Sequence, residues 1–437
     1  MKIGIIGLGF VGLSFVSVLG SRGYEVVGID NNENKIMMIK EGKSPFFEPE
    51  LENTLKIALK KKAKFYTSIN ELTNNCDLIF VTVGTPQSKN GKIDLSMIKS
   101  VSKELSTIIK KSSNKPIIII KSTVIPETTN KIIKPILEKK SGKKVDQDFG
   151  LITNPEFLRE SQAIYDTSFP HAVILGGEQN EFMKKLTKFY KTFHGKIPII
   201  ETNLQTAEMI KYANNSFLAT KISYINQIAK ICEKIPGTNI DDISRTIGLD
   251  PRIGELFLNA GPGYGGSCLP KDVKAIINFS SRLGIKHSLL DAVDKINQEQ
   301  VNHIVKLIEE NCGKIKNKKI TILGLSFKPK TDDIRDSVSL ELIKELLKKD
   351  VNVTVHDPKA INNVKEVFKN KINYENSISN ALKNSFCMVI MTAWPQYRKI
   401  SNNDVKLMKK PIIIDSQRIL FHKKINFNYH AIGIGDK

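Results

Sequence analysis

The feature that most constrains this chain lies at its start. Residues 2–12 read KIGIIGLGFVG, so an apolar run of strand length passes directly into Gly7, Gly9 and Gly12. Behind a strand and ahead of a helix, the first glycine permits a tight turn, the second lets backbone approach a pyrophosphate, and the third allows close helix packing. The helix N-terminus then faces the phosphates. A second apolar run, EVVGID, ends in Asp30, 18 residues beyond Gly12, where a carboxylate accepts hydrogen bonds from a ribose 2′-hydroxyl. Without Asp30 the glycines would describe only a tight strand-helix turn; with it, a dinucleotide site is expected. The charge of Asp30 repels a 2′-phosphate, and DNNENK (30–35) offers no arginine to bind one. NAD is therefore preferred over NADP, with FAD a lesser alternative.

Short apolar runs go on alternating with segments of helix length. KIGIIG, EVVGID, LIFVTV, PIIIIKS, GLITN and AVILGG recur through residues 1–176, the pattern of a parallel sheet wound by helices. From about 202 to 310 the strand-like runs vanish, and residues 206–235, with no internal Gly or Pro, read as one long helix. KKITILG, VNVTVHD, FCMVIMTA and PIIIDS then restore the alternation. The expected fold is α/β: two Rossmann-like, doubly wound parallel-sheet domains (1–201 and 313–437) joined by a central helical region (202–312) with a long helix.

At 437 residues the chain can bury more than one core. Its five scattered cysteines include no CxxC and no Cys/His pair at metal-ligand spacing, which argues for a reducing compartment, against a bound metal, and for a free thiol at Cys268. Residues 3–21 carry no charge. Five glycines at uneven intervals and no cleavage-site pattern set aside a spanning or secretory segment there, so a cytoplasmic location away from the membrane is expected. The formal charge of +21 raises the question of nucleic acid. The lysines, however, are scattered in pairs and triplets with few aromatics among them, so solvated faces are expected and no specific nucleic-acid partner. The surplus field would help to capture an anionic substrate.

Open α/β sheets bind ligands beyond the carboxyl ends of their strands. The segments there are VGTP (83–86), KSTV (121–124), TNPEFLRE (153–160), GLSFKPKTDDIRDS (324–337), TAWPQY (392–397) and DSQR (415–418). They are polar, most are punctuated by Pro or Gly, and as a set they suggest the walls of a cleft. On the long helix Lys211 and Asn215 are four residues apart, with Glu208 a turn before them; this is either a solvent-facing polar stripe or a functional face. In GPGYGGSCLPKD (261–272) one cysteine directly follows a glycine-dense run.

GLGFVGL, VGTP, KSTV, NPEFLRE, KYANNSFLATKIS, GPGYGGSCLPKD and FKPKTDDIRDS, in this order over nearly the whole chain, resemble the UDP-glucose/GDP-mannose dehydrogenase family. The resemblance implies NAD-dependent oxidation of a nucleotide-sugar C6 alcohol to a carboxylic acid, in two hydride transfers without release of the aldehyde. An aldehyde needs an added nucleophile before a second hydride can leave. A thiolate at Cys268 would supply it, forming a thiohemiacetal and then a thioester that water opens, with Lys211 or Lys271 favouring the thiolate.

By the same resemblance Lys211 and Asn215 stabilise the developing oxyanion, Asp272 with Thr123 positions and deprotonates water, and Glu156 is a further catalytic carboxylate. Cofactor contacts are implied for Gly7, Gly9, Val11, Gly12, Asp30, Lys35, Thr85, Thr123, Glu160, Lys271 and Arg335. Nucleotide-sugar contacts are implied for Phe157, Leu158, Arg159, Glu160, Lys211, Asn215, Phe257, Leu258, Asn259, Tyr264, Gly265, Phe327 and Lys328. Arg252 would reach the substrate of a neighbouring subunit, making the active unit at least a homodimer built on the long helix. Arg418 stands in the place of the second arginine of a GRR-like run, which reads SQR here and leaves its substrate role open.

Members that act on N-acetylated sugars resemble one another in a histidine before the cysteine; Ser267 stands there in this chain and ranks those sugars low. Arg252 and Tyr264 favour UDP-glucose, and Leu269 keeps GDP-mannose as the alternative. Hydroxyacid and hydroxyacyl-thioester dehydrogenases share the N-terminal architecture but make one hydride transfer and need no cysteine. A non-catalytic nucleotide-sugar sensor could lose the thiol and its neighbours, all of which are present here.

Overall fold

The computed structural model describes residues 1–72, 76–88, 91–423 and 427–435, which divide into two compact units, Met1–Asn214 and Asn215–Lys437. In the first unit the strands among the described residues are β1 (Lys2–Ile6), β2 (Glu25–Ile29), β3 (Ala63–Tyr66), β4 (Leu78–Val81), β5 (Ile117–Ile120), β6 (Gly150–Thr153), β7 (Val173–Gly176) and β8 (Ile199–Thr202). They form one sheet in the order β3-β2-β1-β4-β5-β6-β7-β8. Pairing is parallel from β3 through to β6, as expected. It reverses once, where Thr153 of β6 opposes Gly176 of β7 in antiparallel register, and β7 and β8 are again parallel to each other.

The central strands are apolar on both faces because helices cover both. Leu78, Phe80, Ile117 and Ile119 join the core under the helix Phe10–Ser21, while Ile79, Val81, Ile118 and Ile120 join the core on the opposite face. The chain leaves β1 through Gly7, whose φ of 94° favours glycine, and enters the helix Phe10–Ser21 at Gly9. A β-carbon on Gly12 would lie 1.9 Å from the Gly7 carbonyl oxygen, so this helix reaches its place only with glycine at that position.

The long helix is Leu204–Cys232, as its uninterrupted sequence predicts, and the second unit continues with the helices Ile240–Gly248, Leu269–Arg282 and Ser288–Cys312. Its strands among the described residues are β9 (Lys319–Leu323), β10 (Asn352–His356), β11 (Asn373–Tyr374), β12 (Cys387–Ile390), β13 (Ile412–Asp415) and β14 (Asn428–Ala431), ordered β11-β10-β9-β12-β13-β14 and all parallel. The fold expected from the sequence is thus present. Four strands escaped the apolar pattern, β3, β8, β11 and β14, and these are the four sheet edges. Edge strands are covered less completely and carry polar residues, as β8 does in IIET, where Glu201 is exposed. No helix among the described residues is long and apolar enough to cross a membrane.

Gly12→Ala tests the close approach behind β1. Because the obstructing atom is backbone, the methyl group can enter only by displacing the helix, at a cost of about 1–3 kcal/mol. We expect a lower calorimetric melting temperature together with loss of dinucleotide binding by titration calorimetry. Retention of both would show that the turn has room to spare.

Candidate active site

The first unit presents a dinucleotide cradle beyond β1 and β2. The Asp30 carboxylate, almost buried, accepts the Leu8 N–H at 2.9 Å and the Asn32 N–H at 3.1 Å, and takes the Lys35 ammonium at 2.7 Å. Asn32 caps the helix Glu33–Lys40, and this cap brings Lys35 back onto Asp30. A β-carbon on Gly9 would meet nothing within 4 Å, so space is open at the N-terminus of the helix that begins beside Val11. Thr82 donates to the Gly7 carbonyl at 2.6 Å and Thr85 to the Thr123 carbonyl at 2.7 Å, tying the ends of β1, β4 and β5 together. An open helix N-terminus with a carboxylate at the end of the second strand fits a dinucleotide such as NAD, which Gly7, Gly9, Gly12 and Asp30 would hold.

Beyond β5 and β6 lies a cluster of buried polar groups. Lys211 is only 4% exposed; its ammonium is 3.2 Å from Glu156 and sits 5.2 Å from the centre of the Phe157 ring. The other Glu156 oxygen accepts the Leu158 N–H at 2.5 Å, which fixes the carboxylate. Lys121 donates to Asn154 Oδ1 at 3.0 Å, and Tyr190 donates to the same oxygen at 2.5 Å. Burial pushes the Lys121 amine down to about 8, the Lys211 charge pushes the same way, and Glu156 opposes both. Lys121, Asn154, Glu156, Leu158, Tyr190 and His194 help to line a cavity of about 60 Å³. Arg159 forks onto Asp166, with contacts at 2.7 and 3.0 Å, and Glu160 is buried. Glu208 and Asn215 are 2% and 4% exposed, so the solvent-facing reading of the stripe they form with Lys211 is overturned.

The second unit holds the thiol. Cys268 is the N-cap of the helix Leu269–Arg282 and is partly exposed, whereas Cys76, Cys232, Cys312 and Cys387 are buried. A helix N-terminus favours a thiolate over a thiol. One turn on, Asp272 is 1% exposed, accepts from Asn215 Nδ2 at 2.6 Å and is paired with Lys271.

The glycine-dense approach to Cys268 is fastened residue by residue. Arg418 donates to the Ala260 carbonyl, Asn226 and Gln300 hold Gly261, and Asn297 both donates to and accepts from the backbone of Tyr264. Gly266 donates to the Arg335 carbonyl at 2.9 Å, and a β-carbon on Gly265 would lie 2.2 Å from the Asp336 carbonyl oxygen. Phe327 packs beside Gly265 and Gly266, with the Lys328 ammonium 5.5 Å from its ring centre. Phe257 adopts a φ of 67° ahead of buried Leu258 and of Asn259.

The remaining arginines differ in setting. Arg252 is 87% exposed beside Asp250, and Arg335 is half exposed on Asp333. Arg418 is buried and already engaged, with Asp241 at 2.8 Å and the carbonyls of Ala260 and Ile432 at 2.8 and 3.3 Å. Sequence reasoning took in Lys121 and Asn154 only as members of the KSTV and TNPEFLRE segments and missed Asn226, Asn297 and Gln300, polar side chains whose partners are distant in sequence. No group of three or more His, Cys, Asp or Glu placed to hold a metal occurs among the described residues.

Arg418→Lys tests the brace on the cysteine loop. A lysine cannot reach three acceptors set apart in this way, and the variant should lose about 2–3 kcal/mol, the scale of hydrogen bonds to a charged group, in urea unfolding. An unaltered midpoint and slope would show that the brace is idle.

Residues 1–194 match the NAD binding domain of the UDP-glucose/GDP-mannose dehydrogenase family, residues 205–299 its central domain, and residues 321–422 its UDP binding domain. A UDP-glucose 6-dehydrogenase of Rickettsia felis is 39% identical, over 99% of this chain and 96% of the relative. One of Bacillus subtilis is 37% identical, over 99% and 93%. The structure of a UDP-glucose dehydrogenase from Pyrobaculum islandicum superposes with a TM-score of 0.93 at 30% identity, covering 99% of this chain and 98% of that one. A UDP-D-ManNAc dehydrogenase from Pyrococcus horikoshii gives a TM-score of 0.88 at 27% identity over the full length of both chains. With its cradle, its buried lysine and its capping thiol, the chain belongs to the UDP-glucose/GDP-mannose dehydrogenase family and is an NAD-dependent oxidoreductase.

Proposed function

We propose that this protein oxidises UDP-glucose to UDP-glucuronate in two steps through a thioester on Cys268. The observation that carries the reading is the place of that thiol: the one partly exposed cysteine, at a helix N-terminus, one turn before an aspartate held by Asn215 and Lys271. Bound NAD accepts a hydride in each oxidation, so two are consumed per sugar. The first oxidation removes a hydride and a proton from the C6 alcohol and leaves an aldehyde. The Cys268 thiolate adds to that carbon, giving a thiohemiacetal whose hydride then departs. Water opens the resulting thioester, returning the thiol and the acid.

Within this scheme the Lys211 ammonium and the Asn215 amide stabilise oxygen as it becomes negative, a role in which one fixed donor contributes about 2.7–4 kcal/mol. Asp272 and Thr123 handle the attacking water, and Glu156, paired with the Lys211 ammonium at 3.2 Å, is a further catalytic carboxylate. Phe157 to Glu160, Phe257 to Gly265, Phe327 and Lys328 hold the nucleotide sugar, and Arg335 assists the cofactor. Support for UDP-glucose comes from the names of relatives aligned over nearly the whole chain, from Ser267 before the cysteine and from Arg252 and Tyr264. GDP-mannose is the second reading, favoured by Leu269. We also propose a homodimer in the cytoplasm. Phe217, Tyr224 and Ile231 are exposed on the long helix, and the Arg252 side chain is 87% exposed on its Asp250 partner, an apolar face and an exposed cation suited to a second subunit.

A panel of UDP-glucose, GDP-mannose, UDP-N-acetylglucosamine and UDP-N-acetylmannosamine, each at about 1 mM, the upper end of typical KM values, tests the substrate. We expect two NADH per UDP-glucose and little turnover of the others. Turnover of another sugar with none of UDP-glucose would overturn the assignment. Cys268→Ser should bind both ligands yet fail to turn over; repeated turnover in that variant would rule out the covalent route.

A further inference from the structure

The turn that follows Lys121–Val124 is held by a carboxylate from far along the chain. Glu208, 2% exposed on the long helix, accepts the Glu127 N–H at 2.7 Å on one oxygen and the Thr129 N–H at 2.9 Å on the other. Glu127 has a φ of 76°, in the left-handed region that a residue with a side chain enters only at a cost. No glycine relieves it, so the surroundings impose the conformation. The chain then passes through a π turn, Thr129–Ile133, before the regular helix Lys134–Ser141 begins. Such turns are rare and tend to occur at functional sites.

Holding Glu208 here is costly. Burial raises its carboxyl to about 7 despite the Thr129 hydroxyl and the Thr129 and Glu127 N–H groups, which favour the ionised form. As pH rises from the ordinary carboxyl range towards 7 the unfolded chain ionises first, so the fold loses stability over that interval. Charged groups around it include Glu127, whose like charge adds to the shift and which is paired with Lys131 at 2.6 Å, and, a turn further along its own helix, Lys211 with Glu156. The Thr129 hydroxyl, joined to that of Thr153 at 3.0 Å, completes the surroundings from β6. When protonated, a carboxyl turns one oxygen into a hydroxyl donor with weaker acceptor capacity, so it holds one of the two N–H groups less firmly.

We propose that Glu208 is a positioning residue of the oxidation: its carboxylate fastens the 121–129 segment to the long helix and so sets the spacing between Thr123 and Lys211. The inference rests on the roles proposed above for those two residues. It makes turnover depend on the ionised clamp, half formed at about pH 7 and declining as pH falls through that value.

The test compares wild type, Glu208→Gln and the double variant Glu208→Gln/Glu127→Gly. It uses kcat and KM against pH with UDP-glucose and NAD, and hydrogen exchange of the Glu127 and Thr129 amides read without substrate. In the single variant we expect kcat to fall roughly 10- to 100-fold, the scale of a small misplacement of reacting groups, with the KM for NAD little changed and the decline below about pH 7 gone. Glycine at 127 removes the left-handed penalty and should recover part of kcat. In wild type, protection of the two amides should fall as pH is lowered through about 7, after correction for intrinsic exchange. Wild-type kcat and pH profile in the Gln variant would overturn the proposal, as would pH-independent protection in wild type, a measurement that needs no variant to fold. PH-dependent protection in an enzyme inactive on UDP-glucose would uphold the clamp and refute the substrate instead.

Discussion

Turns at the carboxyl ends of parallel strands leave backbone N–H groups beyond the reach of the ladder, and here buried carboxylates take them up. Asp30 accepts from Leu8 and Asn32, Glu48 from Ser161 and Ala163, Glu208 from Glu127 and Thr129. Asp357 accepts from Leu325 and Ser326 on one side and from Lys359 and Ala360 on the other. Each N–H left buried without a partner would cost about 1–3 kcal/mol. A carboxylate accepts from several directions, so one side chain binds two segments at once. The loops that carry Gly9, Thr123 and Glu156 are located in this way.

The two sheets repeat one plan. Their strand orders correspond over six strands, with β1 beside β4 in the first and β9 beside β12 in the second. Gly7 and Gly324 both leave the central strand at a φ near 95°, at 94° and 96°, and each donates its N–H to the end of the neighbouring strand, at Ile29 and His356. After Gly7 a helix starts within three residues. After Gly324 the chain runs through Leu325–Ser337 before the helix Val338–Lys348. The first arrangement aims a helix dipole at a phosphate. The second spends the same position on a segment whose backbone, at Arg335 and Asp336, fastens the glycines before Cys268.

Much of this was legible in the sequence, and the reasons are local. Gly7, Gly9, Gly12 and Asp30 declare themselves because a turn, a close approach and a strand end each demand one residue type at one spacing. Interior strands appear as unbroken apolar runs because both their faces are covered. Edge strands do not, and β11 is only two residues long. The buried stripe on the long helix was ambiguous, since Glu208, Lys211 and Asn215 at helical spacing look alike whether they face water or a core. Their partners lie 81, 55 and 57 residues away, and no pattern within a helix reports what folds against it. Glu48, whose acceptors serve residues 113 and 115 positions on, is the extreme case.

The burial of every cysteine but one has a practical side. A maleimide or iodoacetamide meets a single half-open thiol in the native protein and five once the chain is unfolded. Mass added per molecule therefore counts unfolded chains directly, and the native protein can carry one dye or crosslinker at a known address without engineering. On the proposed function that address is also the substrate site, so protection of the thiol reports its occupancy in the absence of any turnover.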